Sequence, residues 1–444
     1  MEVVPVTVIF IGLMVFAAHL FSAIFDKKKI PDVLLLIFIG LLLGPIFNIV
    51  DPSSFAVGGS VFSTVTLVII LFEGGASISL NALKTSLRGA VPLIFASFFI
   101  STAAIGLISW GFYGFSPVSA FMLGAILAGT SSAVVIPLVR QIKMSDNVRT
   151  SMILESAITD VLAIVLTLAL LEAYKEGTLN IGQITGSILA SFLLAFIIGG
   201  AGAIAWSGVL NRIRSIKNSL FTTPAIVFVL YGISESLGYS GAITALAFGI
   251  TIANIELIPF SILKKIHVKD STKLNTSELT FFSELVFLLK TFFFIYIGMS
   301  IVLGDAKSFF WGFILIVAIY AVRLIIAKFL SPPSATNHEK SIISIMIPKG
   351  LASAVLAGIP LQAGVLEGEM IKNITFSVIL MTIVITSSMV LIFEKSPRFN
   401  LFYRKFFSSS LAIGKYFSKK KKDTDHEIVE DSDEIEEDKD KRGL

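Results

Sequence analysis

The chain has 444 residues, of which 55% are hydrophobic and only 15% are charged, and its formal net charge is +4. Soluble domains carry about a quarter charged residues, so this deficit excludes an ordinary water-soluble fold and indicates a lipid-facing surface. The absence of cysteine excludes disulfides, thiolate metal sites and cysteine nucleophiles, and we expect no nucleic-acid partner from so small a positive charge.

Thirteen apolar stretches follow one another along the chain, and most are long enough to cross a bilayer as helices. The first lacks a basic region and a cleavage site, so we interpret it as a retained helix. The least certain boundary is Leu237 to Ser240, between the eighth and ninth stretches. The pattern predicts an all-α polytopic membrane protein with about thirteen transmembrane helices. The predicted spans are 3–25, 31–50, 58–79, 89–112, 117–139, 149–173, 181–207, 219–237, 240–259, 279–303, 308–330, 341–363 and 372–394.

Basic residues are concentrated in alternate loops. The positive-inside rule makes these loops cytoplasmic. Thirteen spans then place the N-terminus outside the cell membrane and the C-terminus in the cytoplasm. The basic loops carry Lys27, Lys28 and Lys29; Lys84 and Arg88; Arg140, Lys143 and Arg149; Arg212, Arg214 and Lys217; Lys264, Lys265, Lys269 and Lys273; and Lys340.

A change of composition divides the chain into a membrane domain, residues 1–395, and a charged cytoplasmic tail, residues 396–444. The tail is at first basic and amphipathic, which predicts contact with lipid headgroups. From Asp423 it is strongly acidic, and such blocks stay solvated and disordered. We interpret the acidic part as solubilising, with a regulatory role as the alternative.

The sixth span carries the densest group of polar side chains. Ser156 lies one helical turn before Asp160, and Glu155 and Thr159 form the neighbouring stripe of the same helix. Ionisable groups inside a membrane are costly and mark functional sites, and carboxylate and hydroxyl oxygens suit a hard cation. The alternative is a structural ion pair or hydrogen-bonded seam, which is the stronger possibility for Glu155 if an arginine lies beside it.

Two spans are interrupted by small residues and proline. The fifth contains Gly129-Thr130-Ser131-Ser132-Ala133, and the twelfth contains Ile347-Pro348-Lys349-Gly350. Broken helices of this kind line ion sites in many transporters. The interruptions are seven spans apart, and this odd offset predicts two inverted six-helix repeats, spans one to six and eight to thirteen, with the broken helices crossing at the midplane. Two ordinary proline kinks are the alternative.

Two basic residues inside spans fit a charge-balancing role. Lys349, in the twelfth-span interruption, is placed to balance the dipoles of the half-helices. Arg323, in the eleventh span, is placed to pair with a carboxylate.

These motifs together resemble the monovalent cation:proton antiporter superfamily, in particular its prokaryotic Na+/H+ exchanger branch, over about residues 5–395. The matching segments are Ile30-Pro31, Gly40 to Pro45, Leu71 to Gly75, Gly129 to Val135, Glu155-Ser156 with Asp160, Phe292-Phe293-Phe294 with Gly298, and Lys349-Gly350.

The resemblance implies roles for individual residues. Asp160 would hold either the cation or the proton, and Glu155, Ser156 and Thr130 would complete the site. Arg323 would pair with Glu155. The chain departs from the family pattern at Ser131, where Asp is usual, at Thr159, where Asn or Asp is usual, and at Lys349, where Arg is usual. The cation-binding set is thus Asp160, Glu155, Ser156, Thr130, Thr159 and Ser131.

The predicted function is a secondary antiporter that exchanges H+ for Na+ or Li+ by alternating access at one carboxylate, with one cation per proton and no cofactor. A core of about 89–173 and 308–394 would move against the remaining scaffold, and the resemblance implies a homodimer in the lipid bilayer. A K+/H+ antiporter of the same fold is the alternative. A cation channel is more remote, because no span shows a repeated polar stripe or a carbonyl filter. An intramembrane enzyme lacks ligands, because only His19 of four histidines lies in a span.

Overall fold

In a computed structural model of the chain, the structure describes residues 9, 12–21, 23, 32–50, 56–78, 80–177, 181–216, 219–257, 273–396, 406 and 407. Every regular element in these ranges is helical, as the sequence predicts. The helices are α1 Gly12–Phe21, α2 Asp32–Leu41 with a π-helical extension Leu42–Ile46, α3 Ala56–Ala76, α4 Leu80–Tyr113, α5 Pro117–Ala128, α6 Ser132–Gln141, α7 Asp146–Glu176, α8 Ile181–Arg214, α9 Thr222–Ser236, α10 Gly241–Ala253, α11 Thr276–Ser300, α12 Ala306–Phe329, α13 Asn337–Ile345, α14 Leu351–Gln362 and α15 Gly368–Lys395.

Eight helical segments of the described chain are long and apolar enough to cross a membrane, and five further apolar helices are shorter. Each of the thirteen predicted spans overlaps one of these thirteen segments. The boundary at Leu237 to Ser240 lies where α9 ends, and Gly238 adopts a φ of +79° there, a conformation that glycine tolerates best. The total of thirteen membrane crossings stays a prediction.

The helices pack in two groups. In the first group, α4 to α7 pack against one another and against α12 to α15. In the second, α2 packs on α11, and α10 packs on α3, α8 and α9. Only a few helix pairs pack across the boundary between the groups in the described structure, among them α7 with α8, α14 with α3, and α14 with α11. The first group occupies nearly the same residues as the predicted core, and its movement against the second stays a prediction.

Paired glycines let helices of the second group approach closely. A Cβ atom at Gly40 of α2 would lie 2.7 Å from the Cα atom of Gly298 in α11, and a Cβ atom at Gly75 of α3 would lie 3.3 Å from the Cα atom of Gly249 in α10. Spans two and ten make the first contact, and spans nine and three make the second. A repeat offset of seven spans relates span two to span nine and span three to span ten. The two glycine contacts are therefore equivalent under the predicted repeat.

Two glutamates fix the ends of the first group in an equally symmetric way. Glu339, in the first turn of α13, accepts a hydrogen bond from the Ser145 backbone N–H at the start of α7, at 2.7 Å. Glu367, at the start of α15, accepts one from the Ser116 N–H at the start of α5, at 3.0 Å. The first contact joins spans twelve and six, and the second joins spans five and thirteen. The same seven-span offset relates one contact to the other.

The start of the charged tail lies largely outside the described residues. Of its predicted amphipathic part, Phe406 and Phe407 are described. The Lys328 ammonium at the end of α12 lies 4.5 Å from the Phe406 ring centroid, and Phe407 is buried.

Candidate ion-binding site

The two interrupted helices cross at their interruptions. The fifth span ends as α5 at Ala128 and resumes as α6 at Ser132, and the twelfth ends as α13 at Ile345 and resumes as α14 at Leu351. Between them, the Ser131 N–H donates to the Pro348 carbonyl at 2.8 Å. Proline has no N–H and disfavours a helical residue before it, which explains why α13 stops short of Pro348. The predicted crossing of two broken helices is confirmed.

Lys349 covers one of the exposed helix ends. Its ammonium donates to the carbonyl oxygens of Gly129, at 2.9 Å, and Ala128, at 3.4 Å, at the C-terminus of α5. The residue is 1% exposed. A helix C-terminus carries partial negative charge, so the lysine charge and the end of α5 stabilise each other.

Asp160 faces the opposite kind of helix end. The hydroxyl of Ser132, the first residue of α6, donates to the Asp160 Oδ2 atom at 2.9 Å. The N-terminus of α6 carries partial positive charge and favours the carboxylate. No described residue forms an ion pair with Asp160 within 4.0 Å.

Thr130 and Thr159 lie beside this carboxylate. The Thr130 N–H donates to the Thr159 hydroxyl oxygen at 3.2 Å, and the two hydroxyl oxygens are 3.4 Å apart. A Cβ atom at the adjacent Gly129 would lie 3.6 Å from the Asp160 Oδ1 atom. The threonine oxygens and the Asp160 carboxylate therefore lie at one place in the crossing.

The other two predicted hydroxyls behave differently. The Ser156 hydroxyl donates to the Ile153 carbonyl of its own helix at 3.0 Å, which leaves its oxygen able to accept or to coordinate. The Ser131 hydroxyl oxygen is buried and has no hydrogen-bond partner among the described residues. Both serines are buried.

Glu155 is joined to Arg323 and not to the group around Asp160. Arg323 donates from both terminal nitrogens to both Glu155 oxygens, and the two side chains are each 2% exposed. Arg323 also donates to the Ser97 hydroxyl at 2.5 Å and to the Ile343 carbonyl at 2.9 Å. The charge of Glu155 is thus matched by a fixed partner, whereas Asp160, five residues later in α7, has no ion-pair partner within 4.0 Å among the described residues.

Ser132 and Ser97 are not among the residues that the sequence predicts for the site. Ser132 lies inside the interrupted motif, and its position as the first residue after the break marks it as a side chain at a helix N-terminus. Ser97 is one of several serines in the apolar α4, and nothing in the local sequence connects it with Arg323, which is 226 residues away.

Comparison with known proteins supports the transporter interpretation. A K(+)/H(+) antiporter NhaP of Alkalimonas amylolytica is 25% identical over 401 residues, covering 86% of this chain, and this chain spans only 65% of that protein's length. A probable Na(+)/H(+) antiporter 2 of Methanocaldococcus jannaschii is 28% identical over 373 residues, covering 79% of this chain and 84% of that protein. The structure of the sodium proton antiporter MjNhaP1 of the same organism at pH 8 superposes with a TM-score of 0.64 at 22% identity, covering 87% of this chain and 100% of that one.

The solved structure shows that the all-helical antiporter fold is shared. The family model described as sodium/hydrogen exchanger, transmembrane, matches residues 13–394, nearly the whole membrane domain. The chain belongs to the sodium/hydrogen exchanger family, a family of membrane transporters.

Proposed function

We propose that the protein is a secondary active antiporter that exchanges H+ for Na+ or Li+, one for one, at Asp160. The observation that carries this proposal is the different treatment of the two carboxylates in the middle of α7, Glu155 and Asp160. Glu155 is matched by Arg323, whereas Asp160 receives a hydrogen bond from Ser132 at 2.9 Å and the N-terminus of a half-helix.

Exchange follows from competition for one group. The Asp160 carboxylate binds a cation only after it has released its proton, and it binds a proton only after the cation has left. The hydroxyl oxygens of Thr130 and Thr159, with Ser156 and Ser131 nearby, offer the neutral oxygen ligands that hard monovalent cations prefer. Lys349 holds the facing end of α5 without occupying the carboxylate.

Transport requires Asp160 to face each side in turn. We assign this movement to the first group of helices, α4 to α7 and α12 to α15, sliding against the second group across the smaller set of contacts between them. From the basic loops we assign the C-terminus to the cytoplasm and the N-terminus to the outer side of the plasma membrane. A homodimer would anchor the second group while the first moves.

K+ is the second candidate cation. It is favoured by the name of the relative from Alkalimonas amylolytica, a K(+)/H(+) antiporter. Ser131, Thr159 and Lys349, where the chain departs from the usual family residues, are the positions at which we expect the choice between Na+ and K+ to be made.

Transport by proteoliposomes containing a pH-sensitive dye tests the proposal. With wild-type protein, external Na+, K+ or Li+, each tested separately from pH 6 to 9, should raise the pH inside the vesicles. The Asp160→Asn change should abolish this rise. Asp146→Asn is the matched control, since Asp146 begins the same helix and its side chain is 94% exposed. Wild-type rates in the Asp160→Asn variant would refute the site, and currents that do not saturate would indicate a channel.

A further inference from the structure

A cavity of about 380 Å³ lies between the two groups of helices. The first group contributes residues of α7, α14 and α15, and the second contributes residues of α3, α9, α10 and α11. Its polar lining residues are Thr64, Tyr231, Glu235, Tyr296, Gln362 and Lys372.

The cavity lies on the side away from the basic loops. Helix α7 begins directly after the basic segment that contains Lys143, and the cavity is lined by its second half, at Ile164 and Leu168. The last turn of α9 and the last turn of α14 also line it. We name this side of the protein the far face.

The inner end of the cavity comes close to the ion site. Ile164 lines the cavity and follows Asp160 by four residues in α7, so the two side chains are one helical turn apart on the same stripe. Ala354 of α14 lines it one turn beyond the Gly350 break. The cavity therefore spans the distance between the far face and the neighbourhood of the Asp160 carboxylate.

Two opposite charges line this cavity from different groups of helices. Glu235 belongs to α9, and its Oε1 atom is fixed by the Gly241 N–H at 2.8 Å. Lys372 belongs to α15, and its ammonium lies 5.7 Å from the Phe376 ring centroid. Glu235 and Lys372 do not pair with each other within 4.0 Å in the described structure, and the opposite charge that acts on Lys372 is that of Glu369 on the same helix. The two side chains therefore line the cavity without neutralising each other.

We propose that Glu235 and Lys372 shift the apparent cation affinity from the far face in opposite directions, because both line the cavity through which a cation would reach Asp160 from that face. Glu235 raises the local cation concentration and Lys372 lowers it. Coulomb's law for one unit charge on the order of 10 Å away, at an effective dielectric constant of about 40 to 80, gives roughly a two- to four-fold change. The inference rests on the proposed function.

Thiol labelling tests the route independently of transport, because the natural chain has no cysteine. A membrane-impermeant methanethiosulfonate reagent applied from the far face should label Ile164→Cys and should not label Ile153→Cys, which lies on the same helix beyond Asp160. Lys143→Cys, exposed on the basic side, reports the vesicle orientation. Absence of labelling at position 164 from the far face would overturn the route.

Sided transport kinetics test the two charges. With the cation supplied at the far face, Glu235→Gln should raise the cation KM two- to four-fold, and Lys372→Gln should lower it by a similar factor. Neither change should alter kcat, and the conservative Lys372→Arg variant should keep the wild-type KM. Both shifts should shrink when choline chloride raises the ionic strength. Glu172→Gln and Lys307→Gln remove exposed charges on the far face outside the cavity and should leave KM unchanged.

The outcomes separate the two hypotheses. If wild-type protein catalyses no exchange, the proposed function fails, while labelling at position 164 still decides the route. If wild-type protein exchanges and Asp160→Asn does not, but KM is unaffected by both charge changes or moves in the same direction in both, the assignment of Glu235 and Lys372 is wrong.

Discussion

The buried pair of Glu155 and Arg323 allows a quantitative test of how the first group of helices is held together. The pair joins α7 to α12, and Arg323 also reaches Ser97 of α4 and the Ile343 carbonyl of α13. Removing one partner leaves the other charge buried at 2% exposure, which costs about 3–5 kcal/mol in comparable buried pairs. We therefore expect Glu155→Leu and Arg323→Met each to lower the free energy of unfolding by that amount.

The double change should cost much less than the sum of the single changes. Leu and Met remove both charges at once, so neither is left unpaired, and the double variant should recover at least about 2 kcal/mol relative to additivity. The remaining loss is assigned to the Ser97 hydroxyl and the Ile343 carbonyl, which lose their donor. Unfolding by sodium dodecyl sulfate in mixed micelles, followed by tryptophan fluorescence, measures all four free energies.

A surface pair supplies the matched control for this cycle. Arg149 and Asp146 also form an ion pair, but their side chains are 27% and 94% exposed. Exposed pairs contribute about 0–1 kcal/mol, so Asp146→Asn and Arg149→Gln should have small effects and little coupling. Strictly additive losses at Glu155 and Arg323, or a coupling no larger than that of the surface pair, would refute the reasoning.

Three further predictions concern other contacts. Ser132→Ala should raise the cation KM several-fold with little loss of stability, because it removes the hydroxyl that positions Asp160; equal KM values would count against this role in sided transport assays. Burial opposes the charge of Glu339, but hydrogen bonds from Ser145 and Thr336 outweigh it and lower the pKa from 4.5 to about 2. This carboxylate therefore stabilises the fold by about 3 kcal/mol above pH 4.5, and the stabilisation is lost as the pH falls towards 2. The stability gap between wild type and Glu339→Gln should close over that range, and a gap independent of pH would contradict the assignment. Gly298→Ala should destabilise the protein strongly because α2 lies against it, whereas Gly111→Ala, a helical glycine with no atom within 4 Å, should be neutral or slightly stabilising; thermal unfolding distinguishes these outcomes.

Most of the helices could be predicted from the sequence because lipid imposes a length and a composition on each span. The interrupted motifs at 129–133 and 347–353 were equally readable, since glycine and proline mark breaks directly. That the two breaks meet could be predicted only from the inverted repeat as a whole. The hydrogen bond that joins them, from the Ser131 N–H to the Pro348 carbonyl, depends on packing between segments more than 200 residues apart.

The limits of the sequence are clearest among the hydroxyl groups. Ser131 and Ser132 are adjacent and chemically identical, yet Ser132 contacts Asp160 and the Ser131 hydroxyl has no partner among the described residues. Which of them faces the carboxylate depends on the residue at which α6 begins. A difference of one residue in that start rotates the side chain by about 100°, and local sequence does not define helix boundaries that closely.

The two halves of the crossing share one backbone frame and differ in one charge. At the first break, the Thr130 N–H donates to the Thr159 hydroxyl, which donates to the carbonyl three residues earlier. At the second, the Lys349 N–H donates to the Thr382 hydroxyl at 3.1 Å, and this hydroxyl also donates three residues back, to the Ile379 carbonyl.

The residue after each of these threonines breaks the equivalence. Asp160 follows Thr159, whereas the buried Ile383 follows Thr382. The second half contributes a fixed cation, Lys349, in place of a second carboxylate. A repeat that carried an aspartate in both halves would offer two carboxylates to the ions. This chain keeps the symmetric frame and carries one carboxylate within it, at Asp160. That single carboxylate is the physical basis for proposing one cation per proton.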